Sequence, residues 1–147
     1  MTDQISPQQF HKAAGVADWR LTGEGATAFF RTRSFAESAR FVQAISELPE
    51  VADHPPGVDV RHDGVTIRAI TYTDAYFGPS RRDVELARRI SAVARDLALV
   101  ADPSAVQSVL IIPGATNVDA VLPFWRAVLG CAPRRDHPAE DRHHTGP

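Results

Sequence analysis

Cysteine occurs only once, at Cys131, so an intrachain disulfide is excluded and the chain suits a reducing compartment. Excess charge of either sign is also missing: 16 Lys and Arg against 18 Asp and Glu leave a net charge of −2. Without a basic excess or a polybasic run, the chain lacks the electrostatic footprint of a nucleic-acid binder or of a protein held on an anionic membrane. No stretch approaches the roughly 20 apolar residues of a membrane span. The polar segment Met1 to Phe10 has no apolar core of a signal peptide. These absences lead to the expectation of a soluble, cytoplasmic protein with no nucleic-acid and no membrane partner. A Gly-rich phosphate loop, a Gly-x-Ser-x-Gly elbow and a Cys-x-x-Cys pair are absent too.

What is present is a composition able to build a core. Over 147 residues, 44% are hydrophobic and 23% charged, which suits one domain or a small domain with an appendage. Ser6-Pro7 opens a short helix to Ala14. Trp19-Arg20-Leu21 and Ala28 to Thr32 read as strands around a turn at Gly23 to Gly25. Ser34 and Glu37 stand at capping-box spacing, and Phe35, Ala39, Val42, Ile45 and Leu48 then repeat with helical period until Pro49. Val58 and Val60 alternate with Asp59 and Arg61. An Asp63-Gly64 hairpin signal follows, and Val65, Ile67 and Ala69 alternate in the returning strand. Tyr72 to Pro79 reads as a loop. Ser80 caps a long helix from Arg81 to about Leu99, with Val84, Ala87, Ile90, Val93, Ala94 and Leu97 inward. The fold class expected is α+β: a four-stranded antiparallel sheet with helices on one face, in the order α-β-β-α-β-β-α. Residues 1–101 form one domain on this reading. Residues 102–147 form an appendage, with a strand at Val106 to Ile112, a helix at Val118 to Leu129 and a polar end.

The segment Asp53-His54-Pro55-Pro56-Gly57-Val58-Asp59, the strand pair Val58 to Thr71, the loop Tyr76-Phe77-Gly78-Pro79-Ser80 and the helix-opening Asp83 resemble the pterin-4a-carbinolamine dehydratase family in order and spacing. Trp19, Phe29-Phe30 and Ser34-Phe35 with Ala39, Phe41 and Val42 fit the same pattern. The resemblance covers about residues 5–100. It implies removal of water from a 4a-hydroxytetrahydropterin, with an acid for the departing hydroxyl and a base for a ring proton. The family supplies three histidines for this, and imidazole suits both jobs. Without a gap, His54 falls on the first of them, Pro55 replaces the second and Tyr72 the third. A one-residue shift puts His54 on the second instead. Either way two imidazoles are gone, and tyrosine is a poor base near neutrality.

The resemblance therefore assigns His54 and Tyr72 to catalysis, near one concave site, and Asp53, Pro56, Thr71 and Asp83 to substrate binding, with no cofactor and no metal. Each has a plainer reading: a loop histidine, a packing tyrosine, an aspartate that complements a helix dipole. Arg81 and Arg82 oppose that dipole and hint at an anion or partner contact. In the tail, Gln107 to Ile112 with Val118 to Leu122 and Phe124 to Gly130 resembles the first strand and helix of a glyoxalase-like (vicinal-oxygen-chelate) module. His137, His143 and His144 have no standard ligand spacing. The helix face carrying Phe124, Trp125 and Val128 is expected to pack on another surface, with the chain beyond about Arg134 poorly ordered. Three functions compete: a dehydratase with weak activity on a pterin-like ligand, an inactive pterin-binding module, and a homo-oligomerising domain attached to a glyoxalase-like module.

Overall fold

In a computed structural model of the chain, residues 3–73, 75–109, 114–133 and 141–143 are described. They divide between two compact units, one of residues 1–72 and 77–109, the other of residues 73–76 and 110–147.

The first unit is built on alternation. Strand β2 (Gly25–Arg31) is central. It pairs antiparallel with β1 (Arg20–Thr22) and with β4 (Gly64–Ala69), and β4 pairs with the edge strand β3 (Gly57–Val60). The register sets Ala28 opposite Ile67 and Phe30 opposite Val65, so one sheet face is apolar and buried. A fifth strand, β7 (Val100–Ala101), joins β2 at Phe30 and Arg31, so the sheet has five strands where four were expected. Two residues carry no readable periodicity, which is why it escapes the sequence.

Helices α2 (Phe35–Ser46) and α4 (Arg81–Asp96) pack against each other and over this face. Phe30 sits between Trp19 and Phe41 in edge-on contacts, at 6.4 and 5.1 Å between ring centroids. The buried indole of Trp19 donates from Nε1 to Ser91 Oγ on α4 at 3.0 Å. Of the expected inward positions on α4, Val84, Ala87, Ile90 and Ala94 are buried, whereas Leu97 is exposed. Leu86, not expected there, is fully buried.

Caps decide the helix ends. Helix α1 (Pro7–Lys12) carries a full capping box between Ser6 and Gln9. On α2, Ser34 Oγ accepts from the Glu37 N–H, but Glu37 reaches past the cap to the Arg33 N–H at 2.6 Å, so the expected box is only half made. The Arg33 guanidinium and main chain hold the Glu37 carboxyl down to about 2. Pro49, expected only to stop α2, also starts a further short helix, α3 (Pro49–Asp53). Helix α4 ends in a Schellman turn: Leu99 N donates to Ala94 O at 2.8 Å and Ala98 N to Arg95 O at 2.9 Å. Ala98 takes φ +56°, the left-handed position that glycine ordinarily fills.

The expected loop at Tyr72 to Pro79 contains a two-stranded ribbon, β5 (Thr71–Thr73) with β6 (Tyr76–Gly78). The N-terminal segment then runs beside the start of α4. Ile5 N donates to Pro79 O at 3.0 Å, and Arg81 N donates to Asp3 O at 2.9 Å.

In the second unit, α5 spans Val118–Leu129 as expected, capped by Asn117 and closed by Gly130 at φ +63°. Strands β8 (Cys131–Pro133) and β9 (Asp141–His143) pair antiparallel. The expected strand at Val106 to Ile112 is not regular structure over 106–109, and 110–112 lie outside the described residues. Phe124 and Val128 stand 61% and 59% exposed. Trp125 is half-buried and meets the Phe124 ring edge-on. Of the end expected to be poorly ordered, only 141–143 are described. No helix among the described residues is long and apolar enough to cross a membrane.

Two substitutions test this packing. A Cβ at Gly64 would lie 2.3 Å from Phe29 Cζ and 2.6 Å from the Phe30 carbonyl oxygen. Gly64→Ala is therefore expected to lower the unfolding free energy by about 1–3 kcal/mol in urea titrations. Ala98→Gly relieves the left-handed residue and is expected to raise it by about 1 kcal/mol.

Candidate functional site

Helix α4 begins with the most enclosed polar cluster of the first unit. Ser80 is its N-cap and Asp83 the third helical residue, and the two form a full capping box. Asp83 N donates to Ser80 Oγ at 3.3 Å, and Ser80 N donates to Asp83 Oδ2 at 2.7 Å. Asp83 has no solvent exposure, yet it accepts two further bonds. Thr71 Oγ1 donates to Oδ2 at 3.0 Å, and His54 Nε2 lies 2.7 Å from Oδ1. Thr71 Oγ1 also meets Ser80 Oγ at 2.6 Å. Three segments distant in sequence thus converge on one carboxylate: the C-cap of α3, the first residue of β5 and the start of α4.

His54 is held from its main chain as well, since its N–H donates to Glu50 O at 3.0 Å. Beside it lies a cavity of about 260 Å³ lined by Glu50, Asp53, His54, Arg82 and Glu85. Arg82 Nη2 donates to the Asp53 carbonyl at 3.3 Å, which gives one of the two arginines at the helix start a local partner. Arg89 Nε bridges Glu50 at 3.2 Å and Glu85 at 3.3 Å. Glu50 Oε2 is occluded from solvent without a hydrogen-bond partner. No group of three or more His, Cys, Asp or Glu side chains suited to a metal ion occurs among the described residues.

Of the residues expected in the site, His54, Thr71 and Asp83 are brought into one bonded cluster and Asp53 lines the adjoining cavity. Pro56 lies half-buried on the link from α3 to β3. Tyr72 follows Thr71 on a strand, where successive side chains point to opposite sides. It is 71% exposed and is not among the residues lining the His54 cavity. Glu50 and Glu85 went unnoticed because charged residues on helix surfaces ordinarily face water, whereas Arg82 was singled out for opposing the helix dipole. The Ser80-x-x-Asp83 spacing was a legible capping-box signal.

A larger cavity, about 450 Å³, lies on the opposite face of the sheet between Phe29, Arg31, Arg61, His62, Asp63 and Thr66. Its arginines are already neutralised, Arg31 by Asp102 at 2.6 Å and Arg61 by Asp59 at 2.9 Å. Nothing there resembles the bonded cluster around Asp83, which makes the smaller cavity the stronger candidate.

Comparison with known proteins bears on the same residues. The family model described as "Pterin 4 alpha carbinolamine dehydratase" matches residues 3–93. A Nocardia farcinica protein named "Putative pterin-4-alpha-carbinolamine dehydratase" is 30% identical over 95 residues, which is 64% of this chain and 98% of that protein. A Gloeobacter violaceus protein named "Putative pterin-4-alpha-carbinolamine dehydratase 2" is 30% identical over 90 residues, and a Thermomicrobium roseum protein named like the Nocardia one is 28% identical over 79. These alignments cover 58% and 54% of this chain, and 96% and 83% of the respective relatives.

The cluster gives a direct stability test. Asp83→Ala removes the acceptor of the buried Ser80 N–H and takes from the half-buried Thr71 hydroxyl one of its two partners. The expected loss is about 2–4 kcal/mol in chemical denaturation.

Proposed function

The chain belongs to the pterin 4 alpha carbinolamine dehydratase family, and from that premise we propose that it dehydrates a 4a-hydroxytetrahydropterin at the His54 cavity, slowly and with one imidazole. The observation that carries this reading is the bond of His54 to the fully buried Asp83, beside an open cavity.

One imidazole can serve both halves of the reaction in sequence. Protonated His54 gives its proton to the 4a-hydroxyl. The C4a–O bond breaks with its electron pair on oxygen, and water departs. A ring nitrogen lone pair forms the new double bond. The ring cation then returns an N–H proton to the neutral imidazole, which leaves the quinonoid product and the starting charge on the enzyme. Asp83 stabilises the imidazolium form in both halves. Pocket volumes of about 300–1,000 Å³ are usual for small ligands. This cavity is therefore suited to one ring of a bicyclic ligand, with the rest toward solvent.

The exposure of Tyr72 favours a second reading, a module that binds a pterin-like ligand without turnover. Tyr72, at the family's third position, is not among the residues that line the His54 cavity. The resemblance of the tail to a glyoxalase-like module, and homo-oligomerisation through the apolar face of α5, remain proposals that rest on the sequence of residues 107–130.

Dehydration of 4a-hydroxytetrahydropterin, followed spectrophotometrically, decides between the readings. The expected result is turnover well below that of a three-histidine relative, falling by a further factor of about 10²–10⁴ in His54→Ala. Ligand binding by calorimetry with no turnover would establish the binding module instead. Activity unaffected by His54→Ala would remove His54 from the mechanism.

A further inference from the structure

We propose that Asp83 is a positioning residue: with Thr71 and Ser80 it locks His54 as the Nε2–H tautomer and leaves Nδ1 as the nitrogen that acts on the ligand. The first half stands on hydrogen-bond accounting with Asp83 ionised, as its place at a helix N-terminus favours. The second rests on the dehydratase reading.

Main-chain N–H groups only donate, so Ser80 N gives to Asp83 Oδ2 and Asp83 N gives to Ser80 Oγ. An ionised carboxylate only accepts, so the single hydroxyl proton of Thr71 goes to Oδ2. Thr71 Oγ1 must then accept from the Ser80 hydroxyl, at 2.6 Å. Every proton in this chain has one destination, and none is left to approach Oδ1. The remaining contact, His54 to Oδ1 at 2.7 Å, is satisfied only by Nε2–H donating. The N-terminus of a 16-residue helix favours the negative charge that this scheme needs on Asp83.

The other nitrogen is free by the same count. His54 Nδ1 has no protein partner among the described residues. It is also absent from the occluded unpaired atoms, of which Glu50 Oε2 is the one found there. Nδ1 is therefore reachable from the cavity that His54 lines. Asp83, with no exposure, cannot touch a ligand and acts only through the ring. This revises its assignment from substrate contact to support.

The test reads the tautomer directly, from two-bond ¹H–¹⁵N correlations of the His54 ring in the full chain, beside kinetics. Wild type is expected to show the neutral ring protonated at Nε2. In Asp83→Asn the side-chain amide can donate to Nε2, so the ring is expected to move toward Nδ1–H. Turnover should then fall by about 10²–10⁴ with KM little changed. Thr71→Val, which keeps the volume but removes the donor, should lower turnover, and Thr71→Ser should restore it. A wild-type ring protonated at Nδ1 would overturn the proposal whatever the variants do, and so would an Asp83→Asn variant that keeps the wild-type tautomer. An Nε2–H ring in a protein that fails to dehydrate the pterin would uphold the lock and refute the dehydratase reading.

Discussion

A carboxylate buried without exposure is costly unless its acceptor capacity is filled, and the arrangement of the first unit around Asp83 answers that requirement. The side chain takes a main-chain N–H, a hydroxyl and an imidazole, and it sits where the helix field favours negative charge. Each donor comes from a different segment, so satisfying the charge fixes α3, β5 and α4 against one another. The N-terminal segment adds to the constraint by pairing through Asp3 and Ile5 with Pro79 and Arg81, on either side of the cap.

The core beneath makes that convergence rigid. Trp19, Phe30 and Phe41 interlock between the sheet and α2, and the indole N–H is spent on Ser91 of α4. The helix that carries Asp83 is thereby pinned from its middle, while its far end is closed by a residue in left-handed geometry at Ala98. A non-glycine residue there is tolerated because the turn satisfies two carbonyls of the last helical turn.

Much of this fold was legible because its long elements have strong periods. Val65, Ile67 and Ala69 alternate, as do the inward Ala28 and Phe30, and the apolar spacing of α2 leaves one helical reading. The strands and helices that went unread are short: β7 has two residues, and β5 and β6 have three each. Their existence depends on partners brought by the rest of the chain. The site was half legible for a related reason. The resemblance to the dehydratase family marks His54, Thr71 and Asp83 as belonging together, but burial decides their roles. Thr71 and Tyr72 are neighbours in sequence and opposites in direction, a distinction that appears only once residues 71–73 are known to be a strand. Glu50 and Glu85 gave no signal, since a charged helix surface and a charged cavity wall are written alike, and Arg82 signalled only through its place against the helix dipole.

The charges of that wall also bear on what the cavity can recognise. Arg89 is shared between Glu50 and Glu85, and Arg82 is engaged with the Asp53 carbonyl. Arg89 is thus ion-paired, whereas Arg82 spends one N–H on a main-chain carbonyl and keeps its charge at the cavity wall. A hydrogen-bonding heterocycle in this cavity would be oriented by individual donors and acceptors at short range. On the proposed tautomer, a ring nitrogen whose direction and protonation are set in advance by a buried carboxylate leaves less orientation to be fixed on binding.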